Sequence, residues 1–268
     1  MGDAVTARDL LDRGTRRLAG AGIENARREA EWIVGHVLGL SRNELYAAPE
    51  RPLDEGEVRA AEALLVRREA REPLAYILGS WGFRRLMLKT DARALVPRPE
   101  TEIVVERVLA LLEGIDAPRV LDIGVGSGAI ALAVKDERPD ANVTGVDISK
   151  EALSLARENA ALLRLEVEFR EQGVDAAATG WDLVVSNPPY VDTIEGLQPE
   201  LGFEPEQALL GAGFHALIAR TARTRFLVLE VGDGQAWGVA RELETAGYRD
   251  VAITRDLAGL ERVVEGAR

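Results

Sequence analysis

The run Val120-Leu121-Asp122-Ile123-Gly124-Val125-Gly126-Ser127-Gly128 decides the fold, because an apolar strand pattern passes through a glycine turn straight into a helix pattern that reaches Glu137. Glycines at such a turn let the backbone bend tightly and approach a ligand, and the helix start offers unpaired N–H donors. Dinucleotide-binding turns carry G-x-G-x-x-G, which leaves room for a pyrophosphate; the spacing here is G-x-G-x-G. Asp122, ahead of the glycines, suits a ligand with an ammonium group, such as the methionine moiety of S-adenosyl-L-methionine. Asp147 ends the next apolar strand, 19 positions after Gly128, where a carboxylate can accept both ribose hydroxyls. Asp122, Gly124, Gly126, Gly128 and Asp147 are therefore candidate contacts for that cofactor.

Outward from this run, helix and strand patterns alternate. A helix from about Glu100 to Glu113 stops at Gly114, ahead of the strand at Val120. After the turn come a strand at Val143–Val146, a helix through Ala152, Leu155, Ala156 and Asn159, and strands near Leu165–Phe169 and Asp182–Val185. A long loop, a short helix near His215, a strand at Phe226–Glu230, a helix near Ala236–Ala246 and two final strands follow. This alternation predicts a doubly wound α/β domain over residues 100–268, with ligand sites at the carboxyl ends of its strands. Residues 1–72 hold helix signals only: Ala7, Leu10, Leu11, Gly14 and Leu18 recur at helical spacing, as do Ala26, Ala30, Ile33 and Val37, then Val58, Ala61 and Leu65. Thr6 suits an N-cap, and Asp54 with Glu57 a capping pair. A small helical bundle is expected there, serving as lid or docking module. Residues 73–99, with apolar stretches at Trp81–Phe83, Leu86–Leu88 and Ala94–Val96, read as a hairpin connector.

Composition narrows the partners. Across 268 residues, 33 Lys and Arg face 45 Asp and Glu, a net charge of -12, so the general field does not favour nucleic acid. Arg67, Arg68, Arg71, Arg84 and Arg85 crowd one region, which on a helix reads as a solvated face. With no Cys, and with His36 and His215 far apart, thiolate sites and cysteine nucleophiles are excluded and no metal is expected; both histidines read as non-catalytic. The lack of Cys fits a reducing cytoplasm. No apolar run approaches the ~20 residues that span a bilayer, and the amino terminus lacks a signal-peptide pattern.

The acceptor chemistry is written in Val184-Val185-Ser186-Asn187-Pro188-Pro189-Tyr190. Asn-Pro and Pro-Pro are common loop punctuation, but a plain turn does not explain an aromatic at the edge where the cofactor should lie. An amide nitrogen is a poor nucleophile, so an enzyme gains mainly by fixing the group and polarising its hydrogens. The Asn187 side-chain oxygen and the Pro188 carbonyl can each accept one N–H and aim the nitrogen at a methyl donor. The prolines restrict the backbone, and Tyr190 can pack against a flat acceptor. No strong general base is required, since the nitrogen can shed its proton after the methyl arrives. The expected acceptor is a planar amide or amino nitrogen: a protein glutamine, an adenine in DNA or a guanine in ribosomal RNA. DNA would demand a basic groove and a target-reading module, and neither is visible. A catalytically idle cofactor-binding adaptor is the reading from a different class.

Together these stretches resemble the bacterial release factor glutamine methyltransferases, which methylate the glutamine of the Gly-Gly-Gln motif in class I peptide-chain release factors. The resemblance rests on Arg71–Gly79, on Leu95-Val96-Pro97-Arg98-Pro99-Glu100-Thr101-Glu102, on the glycine loop, on Asn187–Tyr190, on Phe203-Glu204-Pro205 and on Arg255–Gly259, nearly the whole chain. Asn-Pro-Pro-Tyr is shared with enzymes that methylate nucleic-acid bases, whereas Pro97–Glu102 is far more specific. Its Pro99-Glu100 pair favours release factors over a ribosomal protein. The resemblance implies a Rossmann-like methyltransferase domain with a mostly parallel sheet and an antiparallel last strand. It implies S-adenosyl-L-methionine held from Gly124 to Gly128, Val125 and Ser127 included, and at Asp147, with Asn187 shared between cofactor edge and substrate amide. Pro188, Pro189 and Tyr190 would complete the glutamine pocket, with Asn187, Pro188 and Tyr190 as its catalytic residues. Arg98, Glu100 and Thr101 would wall the site, the helical lobe would dock the protein substrate, and the enzyme would be a cytoplasmic monomer.

Three departures stand out. Gln172-Gly173-Val174-Asp175 is out of register with the acid and bulky residue that the family uses for adenine, which leaves Asp175 as the acid expected there. The stretch from Gly213 to Phe226 lacks the usual Pro-Gly-Gly turn, so its helix should be trimmed. Leu88 stands where an aromatic is common. From charge alone, an acidic enzyme should attract a substrate loop built to enter an RNA-rich site, and lose that attraction as salt rises.

Overall fold

Apolar residues three and four apart build the first of two units into which the chain divides, Met1–Gly79 with Gln198–Phe203. The computed structural model describes residues 5–191, 193 and 196–268. Helix α1 (Ala7–Gly20) starts at a capping box in which Thr6 and Asp9 each bond the other's backbone, and it buries Ala7, Leu10, Leu11, Gly14 and Leu18. Helix α2 (Ala26–Leu38) buries Ala26, Ala30 and Ile33 and ends on Gly39 at φ 63°. The six-residue α3 (Arg42–Ala47) has its own Ser41–Glu44 box. Helix α4 (Glu55–Glu69) opens at the Asp54–Glu57 box, and the five-residue α5 (Leu74–Leu78) follows Pro73. The sequence reading missed α3 and α5, which are too short to show a helical period.

The arginines of this unit do not form a solvated face. Arg67 pairs with Glu72 at 2.5 Å. Arg68, only 5% exposed, bonds Glu29 and reaches Glu200 at 2.9 Å, and Arg71 reaches the same carboxylate at 2.8 Å. Glu200 thereby ties Gln198–Phe203 into the helical unit. Such charges are matched to carboxylates rather than left for phosphate.

In the second unit, Ser80–Leu197 with Glu204–Arg268, β1 (Ser80–Phe83) and β2 (Leu86–Lys89) form an antiparallel hairpin with Phe83 opposite Leu86. Arg84 pairs with Glu137 and Arg85 with Asp136, so these two arginines are matched as well. Ala94–Val96 forms no strand. Helix α6 (Thr101–Leu111) leads to a seven-stranded sheet made of β3 (Arg119–Ile123), β4 (Asn142–Asp147), β5 (Glu168–Glu171), β6 (Trp181–Ser186), β7 (Thr224–Glu230), β8 (Arg249–Arg255) and β9 (Glu261–Ala267). Their order is β5-β4-β3-β6-β7-β9-β8. The first five pair in parallel, and β9 runs antiparallel to both β7 and β8. The last strand is thus the antiparallel one.

The period of two along each strand builds the layers. Val120, Leu183, Val185 and Val228 face one cluster, with α6, α7 (Ala129–Glu137) and α8 (Lys150–Leu163). Leu121, Val184, Leu227 and Leu229 face the other, with the eight-residue α9 (Phe214–Thr221) and α10 (Ala236–Thr245). Burial on both faces explains why the central strands read as nearly continuous apolar runs. Strand β5 begins at Glu168 rather than near Leu165. The apolar Leu165 and Val167 pack against the first cluster before pairing starts, and the edge strand itself is polar. No helix among the described residues is long and apolar enough to cross a membrane.

Candidate active site

Past the carboxyl ends of β3, β4 and β6, the second unit opens a cavity of ≈ 530 Å³. Strand β3 stops at Ile123, and the loop after it is stitched to β4 by Gly124 N–H and Val125 N–H, which donate to the Val146 carbonyl at 2.8 and 3.0 Å. Gly124 and Gly126 take φ 71° and 55°, a region that favours glycine. Asp147 closes the loop: its Oδ2 accepts from Gly126 N–H at 3.0 Å and its Oδ1 from Ser149 N–H at 2.9 Å. Each oxygen keeps a further acceptor position for a ligand.

Beneath the loop, Asp122 is 1% exposed. Its Oδ2 accepts from Ala131 N–H at 3.1 Å, while Oδ1 has no partner among the described residues. Burial, reinforced by the charge of Asp147, pushes its carboxyl up to about 8. An unpartnered buried acceptor at a cavity wall fits a ligand cation.

The cavity brings together Asp122, Gly124, Val125, Gly126, Ser127, Asp147, Asp175, Asn187, Pro188 and Pro189. Two expected residues stay off its wall. Gly128, at φ 90°, packs against the core: a Cβ there would lie 2.9 Å from Leu132 Cδ1, so close packing with Leu132 requires a glycine at this position. Tyr190 is also absent from the lining. Its ring stacks on His215 with centroids 6.4 Å apart, and its carbonyl accepts from Gln235 Nε2 at 2.9 Å. The cause lies next door, where Val191 N–H donates to the Leu209 carbonyl at 3.0 Å and draws the chain away from the cavity. Burial pushes the Tyr190 phenol up to about 12, so it stays protonated. His215 is buried, with Nε2 2.8 Å from the Glu230 carbonyl oxygen, a structural bond.

Asn187 leaves β6 toward the cavity, and its Nδ2 donates to Thr101 Oγ1 at 3.3 Å. Among the described residues no hydrogen bond is made to Oδ1, which leaves it as the open end of the carboxamide. Arg98 and Thr101 line the cavity; Glu100 does not. Arg98 donates to Glu204 at 2.6 Å, and the same carboxylate accepts from Val96 N–H at 3.3 Å, which fastens the 93–98 wall.

Sequence reasoning missed several wall residues. Ile148 is 65% exposed at the cavity beside Gly173 and Val174, and its only signal is an apolar side chain directly after Asp147. Phe214, Leu217 and Thr221 of α9 read simply as helix. Gly211 supports the Pro-Pro turn: a Cβ there would fall 2.3 Å from the Pro189 carbonyl oxygen.

This sheet order and the cavity at its switch point place the chain in the class of Rossmann-like methyltransferases. Residues 9–79 match the PrmC N-terminal domain and residues 101–201 the Methyltransferase small domain. The chain is 43% identical to the release factor glutamine methyltransferase of Rhodospirillum rubrum, over 97% of its own length and 84% of the relative's. It is 41% identical to that of Deinococcus radiodurans, over 97% and 98%. The chain belongs to the release factor glutamine methyltransferase family. Among solved structures, the catalytic domain of hMettl16 in complex with an RNA hairpin superposes with a TM-score of 0.54 at 15% identity, covering 80% of this chain and 82% of that one; the likeness is one of fold.

Proposed function

We infer that this chain transfers a methyl group from S-adenosyl-L-methionine to N5 of the glutamine in the Gly-Gly-Gln motif of a class I peptide-chain release factor, acting in the cytoplasm as a monomer. The observation that carries the reading is the Asn187 carboxamide, whose nitrogen is taken by Thr101 and whose oxygen is left for an incoming N–H.

The residues present fit the cofactor. Asp122 Oδ1 is a buried acceptor without a partner among the described residues, suited to an ammonium group. Asp147 keeps acceptor capacity for ribose hydroxyls, Gly124, Val125, Gly126 and Ser127 line the floor, and Ile148 with Gln172–Asp175 would border the adenine. Bound there, S-adenosyl-L-methionine supplies a methyl group activated on a sulfonium. Asn187 Oδ1 and the Pro188 carbonyl each accept one N–H of the glutamine carboxamide, which fixes the plane and direction of its nitrogen. Pro188 and Pro189 restrict that geometry, and the Gly211 backbone supports it from behind.

The test is labelled methyl transfer from S-adenosyl-L-methionine to a release factor and to a variant with the Gly-Gly-Gln glutamine replaced. Label in the native factor alone is the expected result. Equal labelling of both would remove glutamine as the acceptor.

A further inference from the structure

A helix that follows a turn ordinarily closes its first bond between a turn carbonyl and the N–H four residues on. Where the glycine loop enters α7, that pair is the Ser127 carbonyl and Ala131 N–H, and each is engaged elsewhere. Ala131 N–H donates to Asp122 Oδ2 at 3.1 Å. The Ser127 carbonyl accepts from Asn159 Nδ2 at 2.9 Å. The two exchanges depend on one another. Asp122 can take Ala131 N–H only while the carbonyl of Ser127, a residue 4% exposed, has another donor, because a buried carbonyl is rarely left without one.

Asn159 is buried on α8 with both ends of its carboxamide in use. Its Oδ1 accepts from Lys89 N–H at 2.7 Å, and its Nδ2 donates to the Lys89 carbonyl at 3.1 Å as well as to Ser127. The Lys89 backbone settles which way round the carboxamide sits, since only the oxygen accepts and only the nitrogen donates to two carbonyls. The end of β2 thereby aims an Asn159 N–H at the glycine loop. Packing of the hairpin on α8 accounts for the two Lys89 bonds. It does not account for the third, because α7 could satisfy Ser127 with its own Ala131 N–H.

We propose, resting on the cofactor site inferred above, that Asn159 is a positioning residue: by engaging the Ser127 carbonyl it leaves Ala131 N–H to Asp122, and so holds Asp122 Oδ1 for the cofactor's ammonium group. Asn159 lies outside the cavity lining, whereas Asp122 and Ser127 are on it, so its effect passes through them. Asp122 is anchored by a single hydrogen bond among the described residues, the one from Ala131, and Oδ1 has none. Without the Asn159 donor, the Ser127 carbonyl takes Ala131 N–H and the turn closes as an ordinary helix start. Asp122 then loses its anchor, and Oδ1 is no longer fixed at the cavity wall.

The experiment is calorimetric titration with S-adenosyl-L-homocysteine of the native enzyme, Asn159→Leu, Asn159→Ala, Asp122→Asn and the Asn159→Leu/Asp122→Asn double variant, with thermal melting and methyl-transfer kinetics alongside. Leu fills the space and keeps water out, so Asn159→Leu should weaken binding roughly tenfold. Asn159→Ala should weaken it roughly threefold, because a loosely held water is a poorer donor to Ser127. KM for S-adenosyl-L-methionine should rise by similar factors, with kcat at saturation falling less. Asp122→Asn should also bind more weakly, and adding Asn159→Leu to it should change affinity by less than about twofold, since the group being positioned is already lost. A lowered melting temperature with native affinity in Asn159→Leu would overturn the proposal, as would the same loss of affinity in both backgrounds. If Asn159→Leu does not fold, native affinity in Asn159→Ala overturns it instead. Failure of the native enzyme to bind S-adenosyl-L-homocysteine would overturn the cofactor site itself, whereas binding weakened by Asp122→Asn but not by Asn159→Leu would overturn only the role of Asn159.

Discussion

Asp122 shows how a single residue links the apolar strand to the chemistry. Its folded carboxyl lies near 8 against an unfolded value of about 3.9, so the folded state binds more protons between the two. The stability this confers is complete below about 4 and is lost as pH rises through about 8. A cation beside Oδ1 favours the ionised form, so native affinity for S-adenosyl-L-homocysteine should tighten as pH rises toward 8, by at most about tenfold per unit. Asp122→Asn should bind more weakly and lose most of that slope; calorimetric titration across this range checks it, and an unchanged slope would rule out Asp122 as the ammonium partner. Asp122, Asp147 and Asn187 were legible in the sequence because each is a polar residue at the end of an apolar strand. Ile148 and Gly211 were not, since an apolar residue or a glycine acquires a role only from what folds against it. Tyr190 followed the motif but not the wall, because pairing at Val191 redirects the chain.

At the scale of elements, the alternation of strand and helix was legible wherever a segment ran long enough to show its period, as in α1, α8 and the central strands. The six and five residues of α3 and α5 fell below that length. The bridge of Val191 to Leu210 was also invisible, since it joins segments on either side of a loop with no periodic pattern. That bridge brings Gly211 against the Pro-Pro turn, and the carbonyl there cannot yield as a side chain could. Gly211→Ala is therefore expected to cost about 1–3 kcal/mol of stability and to slow methyl transfer while cofactor affinity holds; melting and kinetics measured together check it. Gly128→Ala should likewise lower the melting temperature, through its left-handed φ and its approach to Leu132, without removing a ligand contact.

For the whole molecule, the compact units divide the chain differently from local pattern. The hairpin of residues 80–89 belongs with the sheet, and Gln198–Phe203 returns to the helical unit through Glu200. A return of this length leaves no trace in periodicity. The net charge of -12 is a different matter, readable directly, and the pairing of Arg67, Arg68, Arg71, Arg84 and Arg85 with carboxylates leaves it unchanged while removing those cations as a separate basic patch. KM for a release factor should rise with ionic strength, and a salt-independent KM would contradict steering by the acidic field. The most direct measurement is single-turnover methyl transfer to the release factor by Asn187→Ala at saturating S-adenosyl-L-methionine. The rate should fall by ~10² or more with folding and cofactor affinity intact; transfer at the native rate would contradict a carboxamide slot built on Asn187.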